Sequence, residues 1–234
     1  SMIYQGTYVF HRKSFTYSYN IWLFWYIYIR DIQFYFIISF NYCVHMFLQK
    51  KKYFFIIESI KDIELKNIKN FGKFSVIYRN NNDENIDKLK KFRLMCKLKK
   101  IPFYIANNVK LLKTLKADGL YISAYNKKLN LNNLKENYEI IGAAHNIKEV
   151  DIKKKQNCTH ILLSRIFETS YPNKIGHLGV VRFNLFSKLA KTKLVPLGGI
   201  NLENLSKLKI VNCEAIAISS LIKDHTLIVQ KNLK

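Results

Sequence analysis

Arg79 follows the apolar run Phe74–Tyr78, and a planar guanidinium at that place fits the geometry of a phosphate. Its other reading is a salt bridge to a neighbouring loop. The segment LVPLGGINLENL, from Leu194 to Leu205, sets Gly198 and Gly199 between a strand-like run and a helix start. Glycines there let backbone N–H groups approach an anion, and a helix N-terminus adds a favourable dipole. A tight turn alone would also use them. Ser219 and Ser220 close the next strand-like run, AIAISSLI, and give hydroxyls at a comparable place. His145, in EIIGAAHNIKEV, offers an imidazole suited to proton transfer near pH 7; the plainer reading is a hydrogen-bonded loop histidine. Asn107, Asn108 and Asn126 are amides that either serve a site or reflect the composition. Cys43, Cys96, Cys158 and Cys213 are far apart, without the spacing of a disulfide framework or a zinc site, and read as free thiols in a reducing cytoplasm.

These groups need elements to hold them. From residue 50 onward, short β-branched or aromatic runs alternate with polar, Lys-rich periodic stretches. The strands are expected at 53–57, 74–78, 102–106, 120–122, 139–143, 160–164, 194–198 and 214–219. The intervening helices are expected at 61–70, 85–100, 109–116, 131–137, 147–155, 183–191 and 202–209, with a closing one at 221–231. Eight such pairs predict a small (β/α)8 barrel, with a doubly wound open sheet as the alternative. In a barrel, chemistry sits at the C-terminal ends of the strands. Those ends carry Arg79, Asn107, Ser123 with Asn126, His145, Arg165 with Thr169, Gly198-Gly199 and Ser219-Ser220. Phosphate binding commonly falls to the loops after strands seven and eight.

The chain carries 39 Lys and Arg against 16 Asp and Glu, a formal charge of +23. Nearly all of the excess is Lys, and it is spread with Asn, Ile, Tyr and Phe along the whole length, as an AT-rich coding sequence would produce. Such a field draws in phosphorylated small molecules without making a specific nucleic-acid site. The runs Lys50–Lys52 and Lys153–Lys155 read as solvated surface.

Residues 1–48 are a different material, an aromatic-rich extension. The stretch Ile21–Phe40 is long enough to span a bilayer at about 20 residues. Arg30 and Asp31 at its centre oppose that, at roughly 2.5–3.5 kcal/mol each. A membrane anchor, an aromatic β-rich extension and upstream sequence from a mis-assigned start compete. The last is favoured, because MFLQKKKYFFII from Met46 is where a compact domain would begin. The barrel domain is therefore expected at 49–234, cytoplasmic and without a membrane role; homo-oligomer formation is left open.

Five segments in order resemble the thiamine phosphate synthases and their thiazole tautomerase relatives. ANNVKLLKTLKADGLYIS (Ala106–Ser123) is similar to the family's signature of Asn-Asp, a helix, then Ala-Asp-Gly-Val-His. EIIGAAHNIKEV resembles its strand-five turn, and HILLSRIFETSYPNKIGHLGV (His160–Val180) its strand-six loop. LVPLGGINLENL and AIAISSLI resemble its paired phosphate loops. The resemblance spans about residues 50–222. It implies a transferase joining a pyrimidine pyrophosphate to a thiazole phosphate in thiamine biosynthesis, assisted by Mg²⁺.

Residue by residue, the resemblance implies that Thr169, Lys174 and Gly179 contact substrate. It implies that Gly198, Gly199, Ser219 and Ser220 hold the thiazole phosphate, and that Arg79 with Lys174 handle the pyrophosphate. The two family Asp positions that bind Mg²⁺ are Asn107 and Asn126 here, which weakens a carboxylate-based site. The signature His is Tyr121, the strand-five Ser is Ala144, and only Arg79 survives of a Gln-x-Arg-x-Lys. The tautomerases' acid/base His falls on Asn146, with His145 one position early. The alternatives are thus a metal-free thiazole tautomerase-like isomerase using His145, or a non-catalytic barrel binding a thiazole or thiamine phosphate.

Overall fold

In a computed structural model, the structure describes residues 51–68, 71–79, 84–128, 134–169, 176–201 and 203–219. The aromatic-rich extension and the segment 221–231 lie outside them. Eight strands form one closed barrel in sequence order, β1-β2-β3-β4-β5-β6-β7-β8. They are β1 Lys52–Ile57, β2 Phe74–Tyr78, β3 Phe103–Ala106, β4 Gly119–Ile122, β5 Glu139–Ala144, β6 His160–Ser164, β7 Lys193–Leu197 and β8 Ala215–Ile218. Every neighbouring pair is parallel, and β1 closes on β8 in the register Lys52↔Ala215 to Phe55↔Ile218. The (β/α)8 reading holds, with strand limits within a residue or so of those predicted.

The strands are apolar almost throughout because both faces are covered. The inward face stacks Phe54, Ile56, Ile77, Tyr104, Tyr121, Ile141, Leu162 and Val195 with small Ala143, Ala215 and Ala217. Bulky residues on β1 to β4 are balanced by alanines on β5 and β8, which is how a narrow barrel fills without voids. The outward face packs against helices; Tyr78 and Phe92 both lie against the Phe103 ring, at 6.2 and 5.6 Å.

The helical layer is thinner than the sequence predicts. Four α-helices are present among the described residues: α1 Ile86–Leu98, α2 Val109–Leu115, α3 Ile147–Lys155 and α4 Gly179–Ala190. The helix predicted at 61–70 is instead two 3-10 turns, Ile60–Asp62 and Leu65–Asn67. That predicted at 202–209 is a 3-10 segment, Leu205–Ile210. Between 131 and 137 the described part, from Leu134 on, is a turn. A one-turn connection needs too few residues to show a helical period. The abundant asparagines find local work: Asn85, Asn108 and Asn146 each accept N–H bonds as N-caps of α1, α2 and α3. Asn108 is thereby accounted for, and Asn146, on which the tautomerase histidine falls, is a cap.

Among the described residues no helix is long and apolar enough to cross a membrane. Cys96, Cys158 and Cys213 are free and buried. Burial pushes the Cys96 and Cys158 thiols up to about 12, so both stay protonated.

Candidate functional site

The C-terminal rim gathers the predicted residues into two arcs. The first spans β2 to β4. Arg79 leaves β2 with its backbone N–H bonded to Ile57 O, and its guanidinium meets Glu58 at 3.1 Å. The pair is solvent-exposed on both sides, so it orients the guanidinium more than it neutralises it. Inside the barrel below, burial pushes the Tyr121 phenol up to about 12, and the positive charge of Arg79 draws it partly back. Tyr121, at the family's signature histidine position, therefore keeps its proton.

Asn107 and Asn126 come together as the resemblance implies, but as a closed amide cluster. Asn107, at φ +53°, accepts on Oδ1 from the Ser123 N–H and hydroxyl, both at 3.1 Å, and from Asn126 Nδ2 at 3.4 Å. Its own amide donates to the Tyr125 hydroxyl at 3.4 Å. Asn126 Oδ1 accepts the Lys128 N–H at 3.1 Å. The carboxylates nearby are also engaged: Glu58 by Arg79, and Glu84 by Ser59 Oγ, the Ile60 N–H and the Tyr78 hydroxyl. No group of three or more His, Cys, Asp or Glu that could hold a metal occurs among the described residues. Mg²⁺ is a hard ion that favours charged oxygens in octahedral array. Two neutral amides bonded to each other supply it no charged oxygen, so Asn107 and Asn126 as they stand are poor ligands for it.

Beneath this arc lies a feature that the sequence conceals. Lys153 on α3 and its neighbour Gln156 are fully buried. Lys153 Nζ donates to Ser123 O at 2.8 Å, Asn126 O at 2.6 Å and Gln156 Oε1 at 2.9 Å. Burial draws its pKa below the usual lysine value, with Cys158 and Glu149 opposing. The reading of Lys153–Lys155 as solvated surface fails at its first residue. The helical spacing from Glu149 and Val150 on α3 would have placed 153 inward, but the neighbouring lysines masked it.

The second arc spans β5 to β8. His145 is exposed; its Nδ1 faces Glu149 Oε2 at 3.0 Å, and the same oxygen accepts the His145 backbone N–H at 2.8 Å. Arg165, just past β6, donates to Thr169 Oγ1 at 2.8 Å. The β6 loop is laced to the glycine turn: the Ile166 N–H reaches Leu197 O at 3.0 Å and the Phe167 N–H reaches Gly198 O at 3.1 Å. Gly179 opens α4 at φ +72°, with its N–H on Ile166 O at 2.9 Å. Gly199 is required twice over. Its φ is +71°, and a Cβ there would sit 2.3 Å from Glu168 O and 2.4 Å from Phe167 O. Asn204 holds the Gly199 carbonyl at 2.6 Å and exchanges bonds with Asn201 at 3.0 Å, fixing the turn that leads into the next segment. Leu197 of β7 pairs with Ala217 of β8, so Ser219 stands beside the glycine turn. Lys174 and Ser220 lie outside the described residues.

The most specific sequence signature is not at this rim. In Ala117-Asp118-Gly119, at the opposite end, Asp118 accepts the Phe103 N–H at 2.7 Å and Arg93 Nη2 at 2.8 Å. A Cβ on Gly119 would lie 2.2 Å from Glu139 O and 2.7 Å from the Tyr104 ring. His160 faces Glu139 at 3.3 Å at the same end. Such networks at the barrel floor serve stability rather than chemistry.

Residues 62–222 match the family model described as thiamine monophosphate synthase. The thiamine-phosphate synthase of Flavobacterium psychrophilum is 31% identical over 157 residues, covering 60% of this chain and 74% of that one. That of Helicobacter pylori is 31% identical over 150 residues, covering 60% and 67%. The thiamine phosphate pyrophosphorylase of Pyrococcus furiosus shares the fold with a TM-score of 0.64 at 17% identity, over 80% of this chain and 95% of that one. With residues 62–222, more than half of its length, matched to that model, the chain belongs to the thiamine monophosphate synthase family.

Proposed function

We propose that this chain joins a pyrimidine pyrophosphate to a thiazole phosphate, forming thiamine phosphate and releasing pyrophosphate, as a cytoplasmic enzyme. The carrying observation is the glycine turn after β7: Gly199 can be only glycine there, and Ser219, just past the end of β8, stands next to it. A loop so shaped suits the thiazole phosphate, with Thr169 and Gly179 on the adjoining β6 loop.

The pyrophosphate belongs to the other arc. The methylene C–O bond breaks and its electron pair leaves with the pyrophosphate. The thiazole nitrogen lone pair then forms the new C–N bond, and the nitrogen takes the positive charge. No proton needs to move in that step. Arg79, held by Glu58, is placed to offset charge as it develops on the leaving oxygen. Lys174 is the second cation the resemblance implies.

One observation favours a second reading. His145 paired to Glu149 has a ring oriented for proton transfer, which an isomerase needs and the transferase step does not. The two separate in one experiment on the full chain. Thiamine phosphate and pyrophosphate formed in equal amounts, with His145→Ala within about threefold of wild type, supports the transferase. Absence of product, together with a thiazole proton exchange abolished by His145→Ala, overturns it in favour of the isomerase.

A further inference from the structure

We propose that Lys153 is a positioning residue for the pyrophosphate arc, acting through the loop after β4; this rests on the transferase reading above. The loop Ser123–Lys128 carries Asn126, Tyr125 and the Ser123 hydroxyl, all part of the Asn107 cluster. Its carbonyls are turned towards α3. Lys153 Nζ binds those of Ser123 and Asn126, while Gln156 Nε2 binds those of Asn126 at 3.0 Å and Lys128 at 2.8 Å. Two fully buried polar side chains thus supply four hydrogen bonds to one six-residue stretch.

The arrangement is built rather than incidental. An ammonium has three donors, and all three are used here: two on the loop and one on Gln156 Oε1. A buried ammonium is tolerated only when so satisfied. Room for its stem is left by Gly142 on β5, where a Cβ would come 2.8 Å from Lys153 Cδ and 3.0 Å from Cγ. Loops usually face solvent with their carbonyls on water; this one is anchored from below by side chains of a neighbouring helix. Its position at the C-terminal rim puts the anchor under the chemistry, whereas the Asp118 and Glu139 networks lie at the floor.

Lys153 touches no reacting atom on this account. It fixes the backbone that presents Asn126 and, through Asn126, the orientation of Asn107. Removing the ammonium frees that backbone and costs the substrate that the arc receives. The thiazole phosphate, held on the β7–β8 side, is not affected.

The test uses the full chain with Lys153→Met, which keeps the stem and removes the donors, and Gln156→Leu, which keeps the ammonium's two bonds to the loop but removes Gln156's own two loop bonds and one of the ammonium's three acceptors. Lys153→Met is expected to raise the KM for the pyrimidine pyrophosphate about tenfold or more and leave that for the thiazole phosphate within about twofold. Amide exchange over residues 123–128 should quicken by a similar factor while the strands are unchanged. Gln156→Leu should move the same two quantities by less, and it carries the test if Lys153→Met does not fold. Unchanged loop exchange, or both KM values rising in step with a general fall in melting temperature, overturns the proposal. A wild-type chain that makes no product overturns the transferase reading instead, and the loop exchange then still decides whether Lys153 holds the loop.

Discussion

Replacing both Asn107 and Asn126 by aspartate rebuilds the carboxylate pair that the family resemblance implies. In the native chain Asn107 Oδ1 and Asn126 Nδ2 are 3.4 Å apart and hydrogen-bonded. A carboxylate at position 107 would keep the acceptor role towards Ser123, but one at position 126 would set an anionic oxygen where a donor now stands. Two unit charges at that distance repel by about 1 kcal/mol in bulk water and about 5 kcal/mol at an effective dielectric of 20. Asn107 is exposed and Asn126 half-buried, so the lower end applies, about 1–2 kcal/mol. For a barrel of this size that is a fall in melting temperature of about 2–8 °C. Either single variant should fall less, because only one charge is introduced. Mg²⁺ binding between the two carboxylates removes the repulsion. The assay is thermal melting of wild type, both single variants and the double variant, in chelator and in excess Mg²⁺. Mg²⁺ should raise the double variant by at least the lost amount and leave wild type unmoved; product formation at low Mg²⁺ should rise with it. A double variant that melts like wild type in chelator, with no response to Mg²⁺, refutes the facing of these two side chains.

Three further perturbations have defined outcomes. His160, Tyr104 and Thr159 hold the Glu139 carboxyl down at about 2 against an ordinary 4.5, so its ionised form stabilises the fold fully above about pH 4.5 and ceases to do so as pH falls to about 2. Glu139 is 37% exposed, so Glu139→Gln should cost about 1 kcal/mol at neutral pH; the melting gap to wild type should close across that acid window, and a gap constant with pH would refute the assignment. Gly199→Ala adds a Cβ at φ +71° within 2.4 Å of two backbone oxygens, and should destabilise by more than about 2 kcal/mol and raise the KM for the thiazole phosphate about tenfold; unchanged values in both would mean the turn is not shaped as described. Lys191 ends α4 in the left-handed region at φ +49°, so Lys191→Gly should stabilise by about 0.5–1 kcal/mol, read as a higher urea midpoint.

How far the sequence reveals this protein depends on which force sets each residue. Strand runs such as Tyr53–Ile57 and Phe74–Tyr78 stand out because both faces are buried and nearly every position is apolar. The rim follows from the strand ends, which is why Arg79, Asn107, His145, Thr169 and Gly199 all stand there. The connections after β1 and β7 do not stand out, since their short 3-10 turns carry no period that distinguishes them from the Lys-rich polar background. Lys153 is hidden for the same compositional reason: one buried lysine among many exposed ones differs only in what surrounds it. Ala117-Asp118-Gly119 is recognisable as a signature, yet its role at the floor comes from contacts with Phe103, Arg93, Tyr104 and Glu139 that no local spacing encodes. The amide cluster of Asn107 and Asn126 falls between. The replacement of the acids is visible in the sequence, while the mutual bonding of the two amides belongs to the fold.

The most direct test of the central claim is formation of thiamine phosphate from the pyrimidine pyrophosphate and the thiazole phosphate by the full chain, with Arg79→Ala beside it. Product is expected from wild type, with a loss of about a hundredfold in kcat/KM in the variant and an unchanged melting temperature, because Arg79 is exposed and its pair with Glu58 contributes little to stability. A folded wild type that forms no product, or a variant as active as wild type, contradicts it.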